Sequence, residues 1–173
     1  PLFCEEVIQP GDTAAMADIA RRVDCPLATG ERLFTPREFA EVAELRAVAY
    51  IQPDLAHCMG ISGGRKIAAI AEAAHQGVCP HNPMGPVAGA VALQFDAATT
   101  NFVIQEEAVG IVPWVEEICS VYPLQLDRGS WLIPDAPGLG IEIDEKAAAK
   151  YPFAQEVIPA TESVLKDGRI ANW

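Results

Sequence analysis

Five short apolar runs, each closed by an ionisable residue, recur along the first 106 residues at a nearly constant interval. The runs are PLFC, CPLATG, AVAYIQP, GVCP and NFVIQ, and Glu5, Glu31, Asp54, His81 and Glu106 close them. Successive closures lie 26, 23, 27 and 25 residues apart. The stretches between them have helical spacing. Residues 12–22 (DTAAMADIARR) start with an acid and end in arginines, as a helix dipole favours. Residues 35–46 open with Thr35 at the N-cap position, Pro36 at the first helical position and Glu38 three residues on, a capping box. Residues 62–75 place Ile67, Ile70, Ala71 and Ala74 on one face, and residues 87–97 are small and apolar.

Strand, helix, strand at this pace predicts βαβ crossovers and hence a parallel sheet. Parallel strands are covered on both faces, so their runs read as continuously apolar rather than alternating. A doubly wound sheet and a (β/α) barrel both meet that description. No GxGxxG follows any run, which removes the main support for a dinucleotide fold. In a barrel the C-terminal strand ends converge on one mouth, so the five closing residues would face a common pocket. A doubly wound sheet would spread them along an edge. The regular beat favours the barrel.

Composition narrows the function. The net charge of −12 opposes a nucleic-acid role, because phosphate neutralisation needs a basic face. No apolar run reaches the length of a membrane span, so no membrane partner is expected. The five cysteines are odd in number and widely spaced, without a CxxC pair, which fits free thiols in a reducing, cytoplasmic setting. The opening PLFCEE, with neither a methionine nor a turn before it, reads as the later part of a longer protein. Residues 1–106 carry the beat. Residues 107–173 lose it: PDAPGLG is a turn-rich connector, and IEIDEKAAAKY reads as a short strand followed by a helix start.

Three glutamates, an aspartate and a histidine make an oxygen-rich site with one titratable nitrogen. Carboxylates without a histidine cluster suit Mg²⁺, whereas zinc would want more nitrogen or sulfur at ligand spacing. A histidine beside an aspartate is an oriented base. A base beside a hard cation makes a weakly acidic C–H next to a carboxylate removable.

The motifs FCEE, ATGERLF, IQPD with HCMGISGG behind it, PHNPMGP and FVIQEE, in that order, resemble the enolase superfamily. More narrowly, the chain is similar to its mandelate-racemase-type sugar-acid dehydratases, those of the galactonate type above all. The resemblance implies the C-terminal half of a (β/α)7β barrel. Residues 1–106 would supply strands four to eight, and residues 107–173 would pack outside toward an N-terminal capping domain. It implies that Glu5 and Glu31 bind Mg²⁺ and that His81 is the base of a dyad with Asp54. Glu106 would hold the substrate carboxylate or the enediolate, so that Glu31, His81 and Glu106 all meet the substrate. The implied reaction is dehydration of an aldonate such as galactonate to a 2-keto-3-deoxy acid, in a homo-oligomer.

There are departures and rivals. Val7 stands where the family has proline after its Glu-Glu pair. The third metal ligand and a second histidine, the acid for the leaving hydroxyl, belong to a preceding strand outside this sequence, so the site needs an N-terminal part. A racemase or epimerase of a 2-hydroxy acid would use the same residues, and a non-catalytic barrel relative would keep them for binding. Glu6, His57 and His75 read as surface residues. Arg32 reads as reaching an anionic substrate or pairing with a neighbouring carboxylate.

Overall fold

A computed structural model describes residues 1–9, 11–83, 85–107, 114–122, 124–155 and 166–168. Strands β1 (Cys4–Glu5), β2 (Leu27–Thr29), β3 (Tyr50–Ile51) and β4 (Gly77–Val78) form one sheet in chain order, and every pairing is parallel. The crossovers are helices α1 (Thr13–Ala20), α2 (Pro36–Glu44) and α3 (Gly60–Ala73), and α4 (Pro86–Ala97) follows β4. The fifth run stands as a bridge rather than a regular strand. Phe102 pairs in parallel with Val78, Val78 N–H donates to Asn101 O at 2.8 Å, and Val103 N–H returns to Val78 O at 2.9 Å.

Local chemistry fixes the helix starts. Asp12 caps α1 by accepting from Ala15 N–H at 2.8 Å. Thr35 caps α2 through its hydroxyl, while Glu38 reaches back to Thr35 N–H at 2.8 Å, completing the expected capping box. That bonding holds the Glu38 carboxyl below its ordinary range, chiefly through the Thr35 hydroxyl. Apolar positions at helical spacing then fall inward: Met16 and Ala17 of α1, Phe39 and Val42 of α2, and Ile67 and Ala71 of α3 meet Leu27, Ile51 and Val78 of the strands. Helix α3 lies against both α2 and α4, and α4 adds Phe95 to the same core. Truncating Phe39 or Phe95, each 1 % exposed, would cost about 3–5 kcal/mol.

Among the described residues beyond 107 the strand pairs are antiparallel. Strand β5 (Cys119–Val121) pairs antiparallel with β8 (Glu142–Ile143), and β6 (Leu126–Asp127) with β7 (Ser130–Trp131); neither pair joins the parallel sheet. Helix α5 (Glu145–Ala148) follows, capped by Asp144. The expected strand and helix start of IEIDEKAAAKY are therefore present. The polar end of the chain, residues 156–165 and 169–173, lies outside the described residues.

Candidate active site

The four parallel strands run in one direction, so their C-terminal ends lie along one side of the sheet, and side chains carried just beyond them come together there. Asp54 lies three residues beyond β3 and is only 2 % exposed. Its Oδ1 accepts from Ala56 N–H at 2.7 Å, an Asx-type turn that fixes the carboxylate. Its Oδ2 lies 2.8 Å from His81 Nδ1. His81 lies three residues beyond β4, past Cys79 and Pro80, both buried. Cys79 N–H ties this segment to Ile51 O at 2.9 Å, and Gln105 Nε2 donates to Pro80 O at 2.9 Å. The histidine thus stands on a braced backbone, the role that the prolines of PHNP suggest.

The other ring nitrogen, Nε2, faces Glu31 Oε2 at 3.2 Å. Burial alone would lower the His81 pKa. The Asp54 hydrogen bond and the charges of Glu106, Glu31 and Asp54 outweigh it and raise the pKa above the usual imidazole value. Burial likewise pushes Asp54 toward protonation, but its bond to His81, the Ala56 amide and the charges of His57 and His81 bring it below its ordinary range. The two shifts describe one arrangement, an imidazole held between two carboxylates.

Glu106 extends beside Pro80, to whose carbonyl its N–H donates at 3.3 Å. Though Glu106 is itself exposed, partial desolvation by the surrounding protein raises its carboxyl pKa. The charges of Glu5 and Glu31 add to that, against the lowering effects of His81 and the Asn82 amide. Glu5, at the end of β1, is exposed and makes itself felt through this charge. His81 therefore contacts both Asp54 and Glu31, and Glu5 and Glu106 act on the same volume electrostatically.

Three further residues belong to this mouth. Glu6, with a φ of 45°, accepts from the Thr29 hydroxyl through Oε1. Its Oε2 lies 3.5 Å from Arg32, whose Nε is 3.3 Å from Glu31 Oε1. Arg32 therefore pairs with its neighbouring carboxylates, one of the two roles read from the sequence, and Glu6 is a strut rather than a solvated end. His57 approaches Asp54 Oδ2 at 3.7 Å and lies against the Phe34 ring in a tilted arrangement, so it too is closer to the site than a surface position implies. Its spacing three residues after Asp54 was the available signal. Gly30 is required for closeness: at a φ of +147°, a Cβ there would lie 2.7 Å from Gln52 N and 2.9 Å from its carbonyl oxygen.

The donors fit a hard cation in kind, being carboxylate oxygens on Glu5 and Glu31, but they are two only. Among the described residues no group of three or more His, Cys, Asp or Glu is spaced to hold a metal ion.

Parallel strands joined by helices, with carboxylates and a histidine delivered to the C-terminal ends, define an α/β barrel-type site. The family model described as enolase C-terminal domain-like matches residues 1–147, and the chain belongs to that family, whose domain is the (β/α)7β barrel. It is 38 % identical over 181 residues to a D-galactonate dehydratase of Variovorax paradoxus (strain S110), and 37 % over 180 to one of Cronobacter sakazakii. Both alignments take in all of this chain and 47 % of the relative, so the chain spans about half the length of the curated relatives it matches. Among solved structures it superimposes with a TM-score of 0.82 and 36 % identity on an enolase from Agrobacterium radiobacter bound to sodium and L-malate. That match covers 98 % of this chain and 46 % of the other. A mandelate racemase/muconate lactonizing enzyme from Sulfitobacter sp. gives 0.85 at 36 % identity, over 91 % of this chain and 39 % of the other.

Proposed function

We propose that the protein carrying this chain is a Mg²⁺-dependent hydro-lyase that dehydrates a sugar acid of the galactonate type to a 2-keto-3-deoxy acid. The observation that carries the reading is His81, held by buried Asp54 at 2.8 Å on one nitrogen and facing the mouth, 3.2 Å from Glu31, with the other. Asp54 fixes the tautomer in which Nδ1 carries the proton, leaving Nε2 to accept the proton α to the substrate carboxylate. Glu106, at the rim, would hold the carboxylate end or the developing enediolate. Glu5 and Glu31 would hold Mg²⁺, which when bound supplies Lewis-acid stabilisation of negative charge developing on the substrate. The 3-hydroxyl leaves, and the resulting enol becomes the keto acid.

The galactonate dehydratase relatives support the substrate class, and a hydroxy acid, L-malate, in a similar structure supports the kind of ligand. Residues 1–106 supply barrel strands four to eight in this reading, and 107–173 complete the barrel edge toward a capping domain. An upstream part provides the third metal ligand and the general acid, in a cytoplasmic homo-oligomer. A racemase or epimerase would use the same dyad but return the proton to C2.

The test is His81→Asn in the full-length protein, with α-proton exchange in deuterated water followed by NMR. Exchange should fall at least 10²-fold, the usual share of a general base, with the fold intact by circular dichroism. Undiminished exchange would remove His81 from the role.

A further inference from the structure

Of the five cysteines, two meet. Cys4 Sγ and Cys25 Sγ lie 3.0 Å apart, bridging β1 and the turn that leads into β2. The backbone around them is already paired: Cys4 N–H donates to Pro26 O at 2.8 Å, and Cys4 sits opposite Leu27 in the parallel register. Main-chain bonds thus hold β1 against the segment that enters β2, where the two sulfurs come together. The sulfurs are about 1 Å farther apart than a disulfide bond requires. Both residues are half-buried, open enough for a small oxidant to reach. Cys58 and Cys79 contrast with them. Each is buried and closed to a small oxidant, the condition of an inert packing residue.

We propose that Cys4 and Cys25 form a reversible disulfide clip, made by exchange with a small-molecule disulfide such as oxidised glutathione. One protein sulfur, as its thiolate, attacks a sulfur of the small disulfide and releases one glutathione thiolate, which takes up a proton. The second protein sulfur then displaces the attached glutathione, forming the Cys4–Cys25 bond and releasing a second thiol. Two protein S–H groups are oxidised and one small-molecule S–S bond is reduced, so atoms and electrons balance. The clip closes a loop that contains all of α1 and ties β1 to the entry of β2 one residue before Glu5. It therefore sits where the redox state of the surroundings would stiffen the first edge of the mouth, and it is independent of the proposed activity.

The experiment equilibrates the full-length protein with oxidised glutathione, traps free thiols with N-ethylmaleimide and maps tryptic peptides by mass spectrometry. The expected result is a cross-linked pair of peptides carrying Cys4 and Cys25, returned to free thiols by dithiothreitol, with Cys58 and Cys79 unmodified. In Cys25→Ser, Cys4 should carry a glutathione adduct and no cross-link, and Cys4→Ser should show the reciprocal adduct on Cys25. Recovery of both wild-type cysteines as maleimide adducts, or as separate glutathione adducts without a cross-link, would overturn the clip.

Discussion

Replacing Asp54 with asparagine is the most informative single change, because the new side chain is nearly the same shape and differs where the site is most specific. The amide oxygen of the variant can still accept from Ala56 N–H, the contact made at 2.7 Å in the wild type. The amide nitrogen then faces His81 Nδ1 across the 2.8 Å gap now bridged by a hydrogen bond to carboxylate. Two N–H groups cannot point at each other, so the ring moves its proton to Nε2 and accepts at Nδ1. Nε2, which faces the mouth, is then protonated and cannot take the α-proton. The same wrong-tautomer trap costs about 10⁴-fold in a serine-protease triad, and about 10³–10⁴-fold, or roughly 4–5.5 kcal/mol of barrier, is expected here. The assay is kcat for keto-acid formation by the full-length protein, with KM measured alongside. The loss should fall on kcat, since the substitution removes no group assigned to holding substrate. Activity within tenfold of wild type, in a protein of unchanged circular dichroism, would refute the reasoning that Asp54 sets the histidine tautomer.

Other consequences can be checked by measuring stability. Asp96 on α4 has a buried oxygen without a hydrogen-bond partner, and burial pushes its carboxyl up from 3.8 to about 8. Between those values the unfolded chain loses the proton while the folded one keeps it, so stability should fall as pH rises from about 4 to about 8 and level off above. Asp96→Asn should remove that slope and raise stability at pH 8 by at most about 5 kcal/mol, with little effect near pH 4, as read from urea midpoints. Gly30→Ala drives a Cβ into the Gln52 backbone at 2.7 Å and should cost about 2–3 kcal/mol, with spreading of β2 from β3 visible as loss of amide-exchange protection. Thr35→Ala removes the cap of α2 and should lower stability by about 1 kcal/mol without altering KM.

What the sequence made legible was local or periodic. The Thr35–Glu38 capping box depends on residues three apart and appears as read. The parallel direction of β1 to β4 follows from the beat, because helical crossovers of that length join parallel strands, and their chain-order arrangement is the one a barrel requires. Asp54 and His81, which the resemblance pairs, lie 2.8 Å apart, and Glu31 stands 3.2 Å from the other ring nitrogen. The approach of His57 to Asp54 was signalled by its spacing of three residues, whereas the contacts of Glu6 depend on a backbone turn that no spacing rule encodes. Glu6 turns into the site because its φ is positive, and it reaches Thr29 and Arg32 on the next strand end. The choice between substrate and carboxylate for Arg32 could be made only once Glu6 and Glu31 were seen on either side of it. The fifth run illustrates the limit from the other direction. NFVIQ is apolar enough for a strand, yet Val103 and Ile104 are 42 % and 48 % exposed and its ladder is a single bridge to Val78.

Incubating the full-length protein with galactonate and Mg²⁺ in deuterated water, and reading the product by NMR, tests the central claim most directly. α-Proton abstraction followed by loss of the 3-hydroxyl should give a 2-keto-3-deoxy acid carrying one deuterium at C3. Galactonate recovered with deuterium at C2, epimerised or not, and no keto acid would contradict dehydration by this site.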